Sequence, residues 1–215
     1  MQCPSCAQVQ QPRLVCTACG APCAADLDLF AALGCQRKLE IDPVALQAAY
    51  HEISRRIHPD RFATSPAAIR DASLRATALV TRAYRTLRDP VSRGLYWLEL
   101  NGHKLAEGNK NVPPELAETV FEVHEEIAEL RQARAHGKGT DGGAADAPLR
   151  ARRVELQAMM EGLHAELARL FACFDADGGD RDQLFAKLKA VLSRIAYSAT
   201  LARDVERELD SERAA

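Results

Sequence analysis

Four of the seven cysteines in this sequence are spaced as metal ligands commonly are. Cys3 and Cys6 are separated by two residues, and Cys16 and Cys19 repeat that spacing further along the chain. Two Cys-x-x-Cys turns can offer four thiolates to one ion, which suits tetrahedral Zn²⁺. A segment of about 24 residues has too little core to fold alone, so metal binding, worth about 10–16 kcal/mol in zinc-finger peptides, would supply its folding free energy. We therefore expect a structural zinc ion and no nucleotide cofactor.

The same cysteines allow other interpretations. The four thiols could hold a redox-active iron, or they could bind no metal and remain free or oxidised, although a reducing compartment disfavours disulfides. Cys23 is a possible substitute for Cys19 as a ligand. Cys35 and Cys173 are isolated at positions in helical patterns, and we interpret them as core cysteines.

A second motif, His58-Pro59-Asp60, lies within a basic part of the chain. Arg55 and Arg56 precede the motif and Arg61 follows it. Residues 42–93 contain nine arginines against five acidic residues, which predicts a basic surface suited to an acidic protein partner. The near-neutral charge of the whole chain, −2, argues against a nucleic-acid binder.

An acidic helix is predicted after Pro113-Pro114. Its apolar residues recur at intervals of three and four and cover about 80° of a helix that turns about 100° per residue: Leu116, Val120, Val123, Ile127 and Leu130. Glu118, Glu122, Glu125 and Glu129 lie on the opposite side, and Phe121 borders them. An aromatic side chain surrounded by carboxylates and turned away from the core is typical of a protein-binding surface, although a merely solvated face remains the alternative.

Helical patterns extend over most of the chain and predict an all-α fold. One helix begins at Asp42-Pro43 and ends at His58, because proline disfavours helical geometry in the residue before it. Another ends at Asp89-Pro90. Three amphipathic helices after residue 113, two of them joined by a Gly-rich connector at 137–148, predict an antiparallel bundle. No apolar run is long enough to span a membrane and no signal peptide is visible, so we expect a cytoplasmic protein with no membrane partner.

The His-Pro-Asp loop between two helices resembles that of J-domains, which activate chaperones of the DnaK (heat-shock-70) type. Asp28–Gly34 is similar to the first J-domain helix, and Leu87–Gly102 is similar to the end of the J-domain in the HscB family of iron–sulfur cluster co-chaperones. The three-helix region that follows is also found in HscB proteins, whereas other J-proteins usually continue into a Gly/Phe-rich tract. The cysteine-rich start is similar to the extension of mitochondrial-type HscB.

The resemblance implies two docking surfaces. His58, Pro59 and Asp60, with Arg55, Arg56 and Arg61 around them, would bind an HscA-type or DnaK-type chaperone and trigger its ATP hydrolysis. The acidic helix would bind an IscU-type scaffold. Phe121, Glu122 and Glu125 match the family pattern, but Ala117 and Glu118 stand where the family often has Leu or Met. Ile195 or Tyr197 would replace an aromatic residue that the family carries in the last helix.

We therefore expect a co-chaperone that is not itself an enzyme, with four parts. These are a zinc-binding extension at 1–24, a J-domain at 25–102, a connector at 103–112 and a scaffold-binding bundle at 113–212. The alternatives are a J-protein serving a general DnaK-type chaperone with another client, and a four-cysteine redox or metal-binding protein.

Overall fold

The structure, a computed structural model, describes residues 1–105, 112–136, 146–176 and 179–211. Contacts divide the chain into two compact units, Met1–Trp97 and Leu98–Ala215. Within the described residues there are helices and two isolated β-bridges but no strand, which confirms the predicted all-α class.

The first unit begins with two similar hairpins, which we call the double knuckle (residues 1–24). One is closed by a bridge between Gln2 and Val9, and the other by a bridge between Val15 and Pro22. The turn after each first cysteine is the same: the backbone N–H of Ala7 donates to the Cys3 carbonyl at 3.1 Å, and that of Gly20 donates to the Cys16 carbonyl at 3.0 Å. Both donors have positive φ, 58° and 72°. Glycine adopts this conformation freely, whereas alanine pays about 1 kcal/mol for it.

Four helices follow the double knuckle: α1 (Leu29–Ala32), α2 (Pro43–Ile57), α3 (Ala67–Arg88) and α4 (Pro90–Leu100), with a 3₁₀ turn at Pro59–Phe62. The last three residues of α4 belong to the second unit. The predicted start of α2 is confirmed, because the Asp42 carboxylate accepts a hydrogen bond from the backbone N–H of Val44 at 2.9 Å. The predicted end at His58 is also confirmed. Phe30 is fully buried and meets the edge of the Trp97 ring at a centroid distance of 6.2 Å.

The second unit contains α5 (Ala117–Ala135), α6 (Ala147–Asp175) and α7 (Arg181–Asp210), with a 3₁₀ turn at Pro114–Leu116 before α5. Each of these helices contacts the other two, as predicted for a three-helix bundle. All five apolar residues of the predicted stripe are buried; Leu116 lies in the 3₁₀ turn and the other four lie in α5. Only the end of the predicted connector 137–148 is described: Asp146 directly precedes α6, and Ala147 and Pro148 already belong to it. Residues 137–145 lie outside the described ranges.

None of the helices in the described ranges has the length and apolar character that crossing a membrane requires.

Candidate metal centre and docking surfaces

The four predicted ligand cysteines meet at one point. The Sγ atoms of Cys3, Cys6, Cys16 and Cys19 all lie within 4.8 Å of one another. The Sγ atoms of Cys3 and Cys19 are 3.6 Å apart, and those of Cys6 and Cys16 are 3.8 Å apart. An ion bound tetrahedrally at about 2.3 Å from each sulfur requires sulfur–sulfur distances of about 3.8 Å. The arrangement therefore fits a tetrahedral metal ion, with one ligand of each close pair coming from each knuckle.

The pKa values of two of the four thiols, those of Cys3 and Cys16, are lowered. Burial tends to raise the pKa of Cys3, but the backbone N–H groups of Cys6 and Ser5 and the neighbouring thiols outweigh it and lower the pKa to about 6. The pKa of Cys16 is also lowered, chiefly by the backbone N–H of Cys19. Backbone groups aimed at sulfur stabilise the thiolate, which is the form that binds metal.

The remaining cysteines do not join the cluster. Cys23 is fully buried beside it, and burial raises its pKa to about 11. The fourth thiol of the cluster is therefore that of Cys19 and not that of Cys23. The interpretation of Cys173 as a core cysteine is wrong, because its side chain is exposed on α6. Cys35 is only partly buried and lies just after α1 rather than in a helix.

The His-Pro-Asp motif forms an exposed turn at the end of α2. The backbone N–H of Asp60 donates to Nδ1 of His58 at 3.3 Å, and the Asp60 carboxylate lies 3.5 Å from the same atom. Since Nδ1 accepts this bond, the neutral imidazole carries its proton on Nε2. The side chains of His58 and Asp60 are 54% and 90% exposed, so both are accessible to a partner.

Buried contacts between α2 and α3 hold this turn in place. The Ser73 hydroxyl donates to the Ile57 carbonyl at 2.6 Å, and both residues are buried. The rings of Tyr50 and Tyr84 stack with centroids 4.3 Å apart and planes 14° from parallel. An aromatic pair of this kind is worth about 1 kcal/mol beyond the area that it buries.

The three arginines predicted around the motif are all exposed. The Arg61 guanidinium donates to the Arg55 carbonyl at 3.1 Å, which fixes Arg61 beside the last turn of α2. Arg56 approaches Glu52 only to 3.9 Å. This surface therefore keeps its positive charge next to His58.

The acidic side of α5 is exposed in most of its predicted positions. Phe121 is 69% exposed. Ala117, Glu118, Glu125 and Glu129 are exposed around it. The structure thus places one exposed aromatic side chain beside exposed carboxylates, as the helical angles predict.

Glu122 differs from the other predicted glutamates, because it is half-buried and paired. Its carboxylate lies 3.0 Å from the Arg152 guanidinium of α6, which also binds Glu126 at 2.7 Å and Glu155 at 3.0 Å. The hydrogen bonds to the carboxylate of Glu126 raise the pKa of Arg152 above its usual value. Arg152 could not be identified from the sequence, because nothing in the local pattern of α6 marks which carboxylates it reaches.

Neither of the two residues expected to replace the family's aromatic residue in the last helix is fully exposed. Ile195 is buried in the second unit and cannot supply an exposed contact, so that alternative is wrong. Tyr197 is partly buried against the cluster that includes Val123 and Leu156.

The chain is similar in sequence to several known proteins. No protein-family model matches the sequence. It is 33% identical over 129 residues to the human iron-sulfur cluster co-chaperone protein HscB, covering 59% of this chain and 55% of the human protein. It is 34% identical over 134 residues to the co-chaperone protein HscB homolog of Azoarcus sp., covering 56% of this chain and 76% of that protein. The chain belongs to the HscB family of co-chaperones.

Solved HscB structures share the fold. A crystal structure of human HscB aligns with a TM-score of 0.72 and 24% identity over 97% of this chain and 98% of that one. The HscB of Vibrio cholerae aligns with a TM-score of 0.62 and 25% identity over 86% and 99%. HscB proteins are co-chaperones rather than enzymes, in agreement with the expectation from sequence. The first curated relative is matched over about half its length, so the partners of HscB proteins are transferred to this chain only as proposals.

Proposed function

We propose that this HscB protein serves iron–sulfur cluster assembly by binding an IscU-type scaffold and delivering it to an HscA-type chaperone. The His58 motif would stimulate ATP hydrolysis by that chaperone, so the chemistry would belong to the partner. The observation that carries the proposal is the exposed turn of His58 and Asp60 directly after the basic end of α2. A partner with an acidic surface would be oriented by the arginines and would then contact the motif.

The scaffold would dock on the acidic side of α5. Phe121 offers the apolar anchor, and Glu118, Glu125 and Glu129 offer a charged rim. Glu122 would take part at the edge of this surface, since Arg152 already compensates its charge. The expected contact thus has one central aromatic side chain and a rim that favours a basic partner.

The four-cysteine centre would hold Zn²⁺ in a structural role. The donors are four thiolates with tetrahedral spacing, and zinc sites with all four positions filled by protein are structural rather than catalytic. A thiolate site requires reduced cysteines, so we assign the protein to a reducing compartment such as the cytoplasm.

A single-turnover ATPase assay with the HscA-type chaperone tests the proposal. Wild-type protein should accelerate hydrolysis, the IscU-type scaffold should increase that acceleration further, and His58→Gln should abolish it while leaving scaffold binding intact. His164→Gln, a change in an exposed histidine of α6, is the matched control and should stimulate normally.

The outcomes separate the proposal from its alternatives. Stimulation that is indifferent to scaffold would indicate a J-protein with another client. Full stimulation by His58→Gln would refute the assigned role of the motif. No stimulation by the wild-type protein would refute the proposed function and favour a protein that acts through its four-cysteine centre.

A further inference from the structure

A groove in the first unit lies where the double knuckle meets the helices. Its volume is about 420 Å³, within the range of about 300–1,000 Å³ that is usual for binding clefts. Leu14 and Val15 line it from the knuckle side, while Ala31 of α1 and Ile53 of α2 line it from the helical side. Neither the knuckle nor the helices alone would form this groove.

The charged residues that line the groove are of one sign. Arg13 and Arg56 both line it, and its lining contains no carboxylate. Both arginines are exposed, and the ion pair of Arg56 with Glu52 is long at 3.9 Å. An apolar floor with arginines at its edge is complementary to a segment that presents an apolar side chain beside a carboxylate.

The groove is also continuous with the surface that carries the His-Pro-Asp motif. Arg56 belongs to both, since it lines the groove and precedes His58 by two residues in the last turn of α2. One partner could therefore contact His58 and the groove at the same time.

We propose that this groove is a second contact for the heat-shock-70-type chaperone, and that it takes an acidic segment of that partner carrying an apolar side chain. The inference rests on the proposed function, because it names a further part of the same docking event. It gives the double knuckle a role in partner binding: Leu14 and Val15 directly precede the ligand Cys16, so a folded metal centre shapes one wall of the groove.

Two variants outside the His-Pro-Asp surface test the groove. Arg13→Glu reverses a rim charge, and Ala31→Phe fills the groove from an exposed helical position. The readout is the co-chaperone concentration that gives half-maximal stimulation of the chaperone ATPase. We expect that concentration to rise about fivefold in each variant, with unchanged maximal stimulation, because a rim contact sets association rather than the triggering step. Raising the salt concentration should weaken the wild-type protein more than Arg13→Glu.

The controls isolate the groove from folding and from the motif. Arg169→Glu reverses an exposed arginine of α6, outside the basic stretch 42–93, and should behave as wild type. Circular dichroism and metal content should be unchanged in every variant. His58→Gln should lose maximal stimulation, which is a different signature from a shifted half-maximal concentration.

If Arg13→Glu and Ala31→Phe both match the wild-type protein while His58→Gln is inactive, the groove does not bind the chaperone and the proposed function stands. If the wild-type protein dimerises in sedimentation experiments and Ala31→Phe abolishes the dimer, the occupant is a second copy of the chain, which also overturns the inference. Wild-type protein that stimulates no hydrolysis at all would refute the proposed function itself.

Discussion

At the scale of single residues, Phe121 shows how one side chain can define a surface. It is 69% exposed in a helix whose apolar stripe is otherwise buried, and glutamates surround it. Truncating a central aromatic anchor usually costs binding more than removing any of the residues around it. The charged neighbours contribute mainly to the rate and orientation of association.

We expect Phe121→Ala to weaken binding of an IscU-type scaffold by about 2 kcal/mol, or about thirtyfold in Kd. Isothermal titration calorimetry measures the change. Val154→Ala is the matched control, since Val154 is also an exposed apolar residue, 60% exposed on α6, but lies on another helix. Equal affinities of Phe121→Ala and wild type would place the scaffold contact elsewhere.

At the scale of elements, ion pairs link the three helices of the second unit. Arg152 of α6 is only 16% exposed and binds Glu122 and Glu126 of α5. Arg134 of α5 binds the carboxylate of Glu208 of α7 at 3.0 Å, and Arg131 binds it at 2.8 Å. Such half-buried pairs contribute little compared with apolar packing, but removing one partner leaves charges without compensation.

Arg152→Gln should therefore lower the free energy of unfolding by about 2 kcal/mol, because Glu126 is left half-buried without its cation. Urea denaturation followed by circular dichroism measures the loss. Arg153→Gln removes the same charge from an exposed position one residue away and should change the stability by less than about 0.5 kcal/mol. Equal stabilities of the two variants would contradict the structural role of the pair.

The first turn of α1 gives a pH-dependent contribution. Burial tends to raise the pKa of Asp28, but the backbone N–H of Ala31, at 2.8 Å, and the Arg37 guanidinium outweigh it and lower that pKa below its ordinary value of 3.8. A carboxyl whose pKa is lower in the folded protein stabilises it fully above the ordinary pKa. That contribution is lost as the pH falls through the folded value.

Asp28→Asn keeps a capping side chain but removes the charge, so it should cost about 1 kcal/mol at pH 7. The difference from wild type should disappear as the pH falls below 3.8. Denaturation curves at a series of pH values measure it, with Asp71→Asn as an exposed control on α3. A difference that persisted at low pH would show that the charge of Asp28 is not its cause.

At the scale of the whole molecule, the chain combines a short cysteine-rich segment with a larger helical part stabilised by apolar packing. Besides three of its own cysteines, the double knuckle buries only Leu14, Ala21 and Pro22. The helices, in contrast, bury large side chains such as Phe30, Leu167 and Leu188. Metal binding should therefore control the folding of the double knuckle and not that of the helices.

Chelation of the metal should unfold residues 1–24 and leave the helices intact. Hydrogen-exchange mass spectrometry should show loss of protection in the double knuckle only, while far-UV circular dichroism changes little. Purified wild-type protein should contain one zinc ion, Cys6→Ser should lose it, and Cys173→Ser, which alters an exposed cysteine outside the cluster, should retain it. Unchanged protection of residues 1–24 without metal would mean that the segment folds without it.

The features that the sequence determined by itself are local ones. The spacing of Cys3, Cys6, Cys16 and Cys19 predicts the cluster, because two residues between cysteines place both thiols on one tight turn. Asp42 and Pro59 mark the ends of α2, because capping and the geometry of proline act within a few residues. The exposure of Phe121 follows from the angle between it and the apolar stripe.

Contacts between residues that are far apart in the sequence, and the burial that results from them, were decided by the tertiary structure alone. Arg152 and Glu126 are 26 residues apart, and no local pattern shows that they meet. The burial of Ile195, the exposure of Cys173 and the groove at Arg13 likewise depend on which faces the neighbouring segments cover. Hydrophobic periodicity specifies that a helix has an inner face, but the packing of several helices determines how far that face extends and which charged residues reach across it.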